Sequence, residues 1–555
     1  MAAYGDTKAK HLSDRLDRMK NMRVNYDTRW ERIAEVMLPT SVGFLGQRSA
    51  GVAQNDKIFD GTGLYALPRF TAAIDTLVTP HTSRWHSLTS KDPSVMRDDG
   101  SRRFFDYATD TLFRARYSPR AGFASKSAET YMMMGAFGNG VMYIRDARPG
   151  IRYVSIHLSE VWFDENYDGV IDTVFWKHEY TARQLEGRWP EVVANNKELR
   201  EKAEKNPDEK VMVCKAVRPR NERNPHERNA KNMAYSSDVF VIGATSQDPV
   251  YLEESGYRTF PFAIARYNTA PREVYARGPG DDALPDVLTL QAMARTMLRV
   301  GELSADPSWL TVDEESLAAF AVRPGGLIPG GLDMQGRPRV MPLQTGLRDP
   351  GFTLEMAEQR RKQVNSAFLV TLFQVLVETS DRMTATEVMQ RVQEKGAMLA
   401  PISGRLRTEY LGPMIERELD ILFHAGVIDA NLIPPALAKS GGTIDIEYDS
   451  PLTRAMRAEE GVGILRTLET AIQLATIDKR VLSAINTEET LGLLADINGA
   501  PARMLRSPDE RQAIEEETAM AENLQQAAAV APGLADAAKT AVEANQLAGT
   551  EAGVI

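Results

Sequence analysis

The chain has 555 residues, with 66 Lys and Arg against 76 Asp and Glu, so its formal net charge is −10. That length exceeds a single core and argues for roughly three or four domains, and the acidic sign gives no support to a tight nucleic-acid binder. Cys214 is the only cysteine, which excludes intrachain disulfides and a cysteine-based zinc site.

The N-terminal residues are charged and lack the apolar stretch of a signal peptide. Residues 7–38 read as a long polar helix stopped by Pro39, and residues 40–56 as a Gly/Ser-rich loop. "IFDGTGLYALPRFTAAIDTLVTP" turns at Asp60–Gly61 and becomes a helix ending before Pro80. Residues 101–135 suggest two helices broken near Pro119. From 141 to about 270 the pattern becomes strand-like: "VMYIRD", "IRYVSIHL", "SEVWFD", "DTVFWKHEY", "KVMVCKAVRP", "DVFVIG" and "FAIARY", interrupted by one short helix, "TARQLEGRW".

Residues 281–302 are helical and apolar almost all round, with Arg295 and Arg299 as the main basic interruptions. Such a helix is buried on most sides. Residues 305–350 are rich in Pro and Gly and predict turns and short strands. Residues 351–377 predict another helix, with Leu354, Ala357, Val364, Phe368, Leu372 and Val375 on one stripe. The run 367–377 is too short to span a bilayer, and Thr371 and Gln374 interrupt it. The polar loop "ETSDRM" follows, and Thr384 with Glu387 forms a capping box opening the next helix. From Asp449 onward there is no aromatic residue and no histidine. Helices without aromatics bury modest area each, so this tail suits packing against other subunits better than a free-standing domain.

Five patterns invite a chemical reading. Gly278, Gly280 and Ala283 in "RGPGDDA" match G-x-G-x-x-A, the outline of a dinucleotide-binding turn. Asp281 and Asp282 stand where a pyrophosphate would sit and would repel it, whereas they suit a helix start. The expectation is a backbone reversal with Gly278 at positive φ. No Walker A pattern occurs. "DENYDGVIDTVF" places Asp164, Asn166, Asp168, Gly169 and Asp172 at calcium-loop positions, but the last ligand is Phe175 instead of Glu, so a hairpin turn is expected. His81 and His86 lie on either side of Trp85, off the spacing of one helical face, and read as structural. The basic segment 218–231 contains Glu222 and Glu227 and reads as a solvated hairpin loop. Cys214 sits in a strand-like run without a neighbouring histidine, as an inert thiol would. No catalytic, cofactor-binding or metal-binding set emerges, and the residues alone point to a large, non-enzymatic multidomain protein working from a cytoplasm.

Five segments, in order, carry a resemblance: "IFDGTGLYALPRFTAAIDTLVTP" with "SRWHSL", "GAFGNGVMYI", "LSEVWFDENYDGVIDTV", "YARGPGDDALPDVLTL" and "TATEVMQR". Together they resemble the head-to-tail connector, or portal, proteins of short-tailed bacteriophages (podoviruses), over roughly residues 10–500. The resemblance implies an α+β portal-type subunit that assembles into a ring, typically of twelve copies, at one capsid vertex. It implies N-terminal helices and an α/β wing over 1–280, a stem helix at 281–302, a clip at 303–350 and a second stem helix at 351–377. A tunnel loop at 378–383 (Glu378, Thr379, Ser380, Asp381, Arg382, Met383), wing-return helices at 384–450 and a helical crown and tail at 451–555 complete it.

The expected partners are further copies of the chain, capsid and scaffolding proteins, the terminase large subunit, tail adaptor proteins, and double-stranded DNA passing without sequence specificity. Neither a cofactor nor a membrane is expected. The setting is the virion's head-tail junction, with assembly in the host cytoplasm. Arg360, Arg361, Lys362 and Arg382 are the candidate DNA-channel residues. Sparse cations on an acidic protein suit this role, since a channel neutralising 6–10 phosphates would grip DNA in a tight, salt-dependent way. Two other readings stay open: another virion structural protein, such as an internal scaffold or tail component, and a nucleotide-binding enzyme built on the Gly278 turn.

Overall fold

Alternating side chains in the middle of the chain build a five-stranded antiparallel sheet with two different helical covers. In chain order the elements are α1 (Ala2–Met37), α2 (Thr62–Val78), β1 (His86–Thr89), α3 (Pro93–Arg97), α4 (Asp99–Arg116) and α5 (Phe123–Phe137). Next come β2 (Asn139–Asp146), β3 (Ile151–Ile156), β4 (Val161–Glu165), β5 (Ile171–Thr181), α6 (Ala182–Arg188), α7 (Pro190–Asn195) and α8 (Lys197–Lys205). β6 (Lys210–Pro219), β7 (Tyr235–Val241), β8 (Val250–Tyr257), β9 (Phe262–Arg266) and α9 (Pro279–Ala305) follow. β10 (Trp309–Thr311), β11 (Val340–Pro342), α10 (Pro350–Ala367), α11 (Gly412–His424), α12 (Pro435–Lys439), β12 (Asp445–Tyr448), α13 (Pro451–Ala475) and α14 (Thr487–Ile497) complete the order.

The computed structural model describes residues 2–46, 56, 58–81, 83–147, 150–224, 227, 229–242, 249–305, 309–311, 332, 335–342, 350–370, 401–439, 444–448, 451–475, 485–497, 514 and 518. They fall into two compact units. One comprises residues 1–87, 108–431 and 446–456, and the other residues 88–107, 432–445 and 457–555.

In the first unit the sheet order is β4-β5-β6-β7-β8, and a second sheet runs β3-β2-β9. A strand's side chains alternate between faces. Cys214, Ala216, Phe240, Phe175 and Trp162 therefore share one face and meet Ala9, Leu12, Leu16 and Met19 of α1. Val211, Val213, Val239, Val241 and Leu252 face the other way, onto Leu185, Trp189, Val193 and Leu199 of α6–α8. So the N-terminal helix, polar by composition, has one apolar stripe that the sheet buries. Further along α1, the buried Arg23 donates to the carbonyls of Leu158 and Val161 and pairs with Asp27. Trp30 then joins a ring cluster with Tyr26, Phe44, Phe137 and Tyr275.

Two buried ion clusters bind the return segment to the sheets. Arg116 donates to Glu418 through Nε and Nη2, Tyr153 donates to the same carboxylate at 2.6 Å, and all three are buried. Arg266 of β9 clasps Glu409 with two bonds, 2.6 and 3.0 Å, and also pairs with Glu165.

In the second unit, Asp92 caps α3 by accepting from the Ser94 amide at 2.9 Å. Phe104 packs on Phe105, and Gly461 of α13 lies against Ile497 of α14.

Several expectations need correction. α7, α8 and β8 are elements that the sequence reading of residues 141–270 did not include. The helix expected over 281–302 starts at Pro279 and ends at Ala305. The second is shorter than the expected 351–377. Its continuous helix is Pro350–Ala367, and the chain turns at Phe368 and Leu369, the latter at φ +56, a left-handed conformation that breaks the helix. Leu354, read on one stripe with Ala357, Val364 and Phe368, is exposed, while the other three are buried. The return segment expected as helices, 384–450, also contains the strand β12. The tunnel loop 378–383, Leu372, Val375 and the Thr384–Glu387 capping box lie outside the described residues.

Candidate channel-forming site

The turn that looks nucleotide-binding is filled by the protein itself. The Gly278 amide donates to Asp281 Oδ2 at 2.9 Å, and the amides of Asp281 and Asp282 donate back to the Gly278 carbonyl. Asp281 Oδ1 pairs with Arg29 of α1 at 2.6 Å. Burial pushes the Asp281 carboxyl above its usual value, and the bond from Gly278 and the charge of Arg29 oppose that push. The carboxylate thus occupies the anion position at the start of α9, where the helix dipole favours negative charge.

The glycines serve close packing, which corrects the expectation of positive φ at Gly278. Gly278 is absent from the left-handed region. A Cβ on it would lie 2.6 Å from the Gly138 nitrogen, and one on Gly280 would lie 2.2 Å from the Ala136 carbonyl oxygen. The residue with the left-handed backbone is Gly138, at φ +76, which ends α5. Asn139 completes the junction: its amide donates to the carbonyls of Phe137 and Ala276 and accepts from the Ala276 amide. Nothing in the sequence pattern singled out Asn139.

From this junction α9 pairs with α10. Arg360, late in α10, reaches Asp286, early in α9, at 2.7 Å, as in an antiparallel pair. Beside it lies a knot centred on Asp60, at the start of α2. Gln291 Oε1 accepts from the amides of Phe59 and Asp60, and its Nε2 donates to the Asp60 carbonyl at 2.7 Å. The Asp60 carboxylate accepts from the Thr62 amide and from both Nε and Nη2 of Arg361. Burial works to raise its pKa, but the bonds from Thr62 and Arg361 outweigh it and hold the carboxyl below its usual value. Arg295 lies over the ring of Phe59. One buried carboxylate and one buried amide therefore fasten α2, α9 and α10 together.

The four candidate channel cations thus part company. Arg360 and Arg361 are committed to carboxylates of their own subunit, Asp286 and Asp60. Lys362 is exposed on α10. Arg382 lies outside the described residues. Arg299, on the same helix face as Arg295, is also exposed.

Large apolar side chains stand open on α9, α10 and the two short strands between them. Leu298, Leu303, Leu310, Met341 and Leu354 are each more than two-fifths exposed. Between the helices, β10 and β11 pair antiparallel, Leu310 opposite Met341.

The other candidates resolve as structural groups. Asn166 Oδ1 accepts from the Asp168 and Val170 amides, and Gly169 sits at φ +76, which makes the β4–β5 hairpin turn. His81 pairs with Asp75. Burial, with Arg116 and Arg84 nearby, pushes the His86 imidazole well below its usual value, and Arg116 Nη1 contacts its Nε2 at 2.8 Å. Burial pushes the Cys214 thiol far up. In the basic segment Arg220 meets Glu254, and Glu227 accepts from Asn224, Asn229 and Asn232. Among the described residues, no group of three or more His, Cys, Asp or Glu could hold a metal ion, and no helix is long and apolar enough to cross a membrane.

Comparison with known proteins gives the family. The chain is 26% identical to the "Probable portal protein" of Bordetella phage BPP-1 over 543 residues, covering 96% of this chain and 95% of that protein. It is 24% identical to the "Portal protein" of Salmonella phage epsilon15 over 546 residues, covering 97% and 96%. Among solved structures, a chain of the "Virion of native gene transfer agent (GTA) particle" is similar with a TM-score of 0.33 at 14% identity, over 83% of this chain and 98% of that one. The model of the bacteriophage head to tail connecting protein family matches residues 9–505, and with most of its length so covered the chain belongs to that family of phage structural proteins.

Proposed function

We propose that this chain is one subunit of a portal, a ring of twelve copies at the head-tail junction through which double-stranded DNA is packaged and ejected. The family match along residues 9–505 carries the reading. The geometry supports it. A ring needs a heterologous interface, in which one face of a subunit meets a different face of the next. The open apolar side chains of α9, α10 and the β10–β11 ladder supply surface for such contacts, and the Asp60 knot fixes the stem helices to the body that must bear them.

In this reading α9 and α10 are the stem, and residues 303–350 are the clip, on which the terminase large subunit docks. The segment 378–383 is the tunnel loop, and residues 451–555 form the crown and tail. Capsid and scaffolding proteins and tail adaptors meet the ring from outside, and assembly takes place in the host cytoplasm. The chain performs no catalysis; packaging energy comes from the terminase. Lys362 and Arg382 are the DNA-facing members of the four candidate cations, and Arg360 and Arg361 are ties.

Deletion of Ser380–Arg382 tests this. Loop closure depends weakly on length, so rings should still assemble. Proheads carrying the deletion should package or retain less nuclease-protected DNA than the parent. Normal uptake and retention in assembled rings would show that the segment does not act on the duplex. Failure to form rings at all would make it a packing element.

A further inference from the structure

β2 and β3 set two arginines face to face. Arg145 pairs with Arg152 in the register of the hairpin, and both are exposed. Like charges directly opposite, with Cβ atoms about 5 Å apart, repel and weaken the ladder that carries them. Among the described residues neither guanidinium has a carboxylate or a hydrogen-bond acceptor. Arg120 adds a third exposed cation. The carbonyl of the next residue, Ala121, accepts from the Tyr153 amide at 3.1 Å, which sets Arg120 beside Arg152 at the outer edge of the β3-β2-β9 sheet.

The turn between β4 and β5 has the opposite character. Asn166 and Gly169 fix its backbone. It carries Tyr167, 97% exposed, and Val170, 58% exposed. Between them Asp168 is an exposed carboxylate with no cation among the described residues. Such a knob matches an arginine surface: a tyrosine ring takes a guanidinium over its face, and the carboxylate pairs with another. Tyrosine and arginine are also the side chains that most often carry binding energy at interfaces.

The two features lie at opposite ends of β2. Glu165, at the base of the turn, pairs with Arg266, and Arg266 lies opposite Asn139 at the start of β2. Arg145 stands near the other end of that strand, about 20 Å away at roughly 3.3 Å per residue.

We propose that the Tyr167–Asp168 turn of one copy of this chain docks on Arg120, Arg145 and Arg152 of the next. A knob at one end and its socket at the other make a head-to-tail contact, the kind that repeats from copy to copy around a ring. Copies of net charge −10 repel one another, and an opposed arginine pair places positive charge where the acidic turn arrives. The proposal rests on the ring reading above and names the residues of one of its contacts.

Disulfide trapping in the full chain tests it. Cys214, the only native cysteine, is buried and stays silent. Asp168→Cys and Arg152→Cys in one chain should give a ladder of covalent multimers on a non-reducing gel under mild oxidation, and each single variant should run as a monomer. Both positions are exposed and take part in no side-chain contact, so the fold tolerates them. Adding Arg145→Glu should slow the ladder about tenfold, because charge steers the approach. Rings seen by electron microscopy without a ladder overturn the proposal and leave the portal reading standing; a ladder without closed rings does the reverse. Dimers from a single variant would mean that like faces meet, and overturn it too. So would the absence of a ladder together with a short labelled DNA duplex that the parent binds and Arg145→Glu with Arg152→Glu releases, since the patch would then serve nucleic acid.

Discussion

Arg361 and Asp60, far apart in sequence, meet through two hydrogen bonds, Nε and Nη2 to Oδ2 at 3.1 and 2.9 Å. The carboxylate is buried and the guanidinium more than a third exposed, so solvent screens part of the attraction. Arg361→Ala should cost about 1 kcal/mol, measured by denaturant unfolding. The pH dependence has a fixed sign. The folded-state pKa of Asp60 is depressed, so its contribution is complete above the unfolded value, about 3.9, and is lost as pH falls through the folded value. The difference in stability between parent and Arg361→Ala should therefore shrink below about pH 4.

Glycine substitutions separate packing from ligand binding. Gly280→Ala drives a Cβ to within 2.2 Å of backbone and should lower the melting temperature sharply or abolish soluble expression. Gly301→Ala, inside α9 with nothing within 4 Å of the new Cβ, should stabilise by about 0.5–1 kcal/mol. Parent protein should show no ATP binding by calorimetry. A Gly280→Ala protein that melts like the parent would remove the packing account of this turn.

Glu418 is the most exposed to failure of the buried charges, because Arg116 has no other carboxylate described against it. Glu418→Gln leaves a buried guanidinium without its counter-charge and should cost roughly 3–5 kcal/mol, read from chemical denaturation. A loss below 1 kcal/mol would mean that water reaches Arg116.

Local signals were legible in the sequence, and long-range ones were not. Asp60–Gly61 and Asp168–Gly169 announced their turns, and the interruption at Pro119 separated α4 from α5. β8 was missed because Glu253 and Glu254 look solvent-facing; in the fold Glu253 accepts from the Trp189 indole and Glu254 pairs with Lys8 and Arg220. α7 and α8 were hidden in a polar run, although Asn196 caps α8 through its side chain. The apolar stripe through 351–377 gave no warning of the turn at Leu369. Arg360 and Arg361 read as free cations because Asp286 and Asp60, their partners, lie far off in sequence. The family resemblance, by contrast, rested on five short segments read together in order, and the family match over residues 9–505 bears it out.

Electron microscopy of the purified full-length chain tests the central claim most directly. The account predicts closed rings of twelve subunits, with the α9–α10 pairs arranged around a central channel. Particles that remain monomeric, or rings in which the β4–β8 sheet lines the channel in place of α9 and α10, would contradict it.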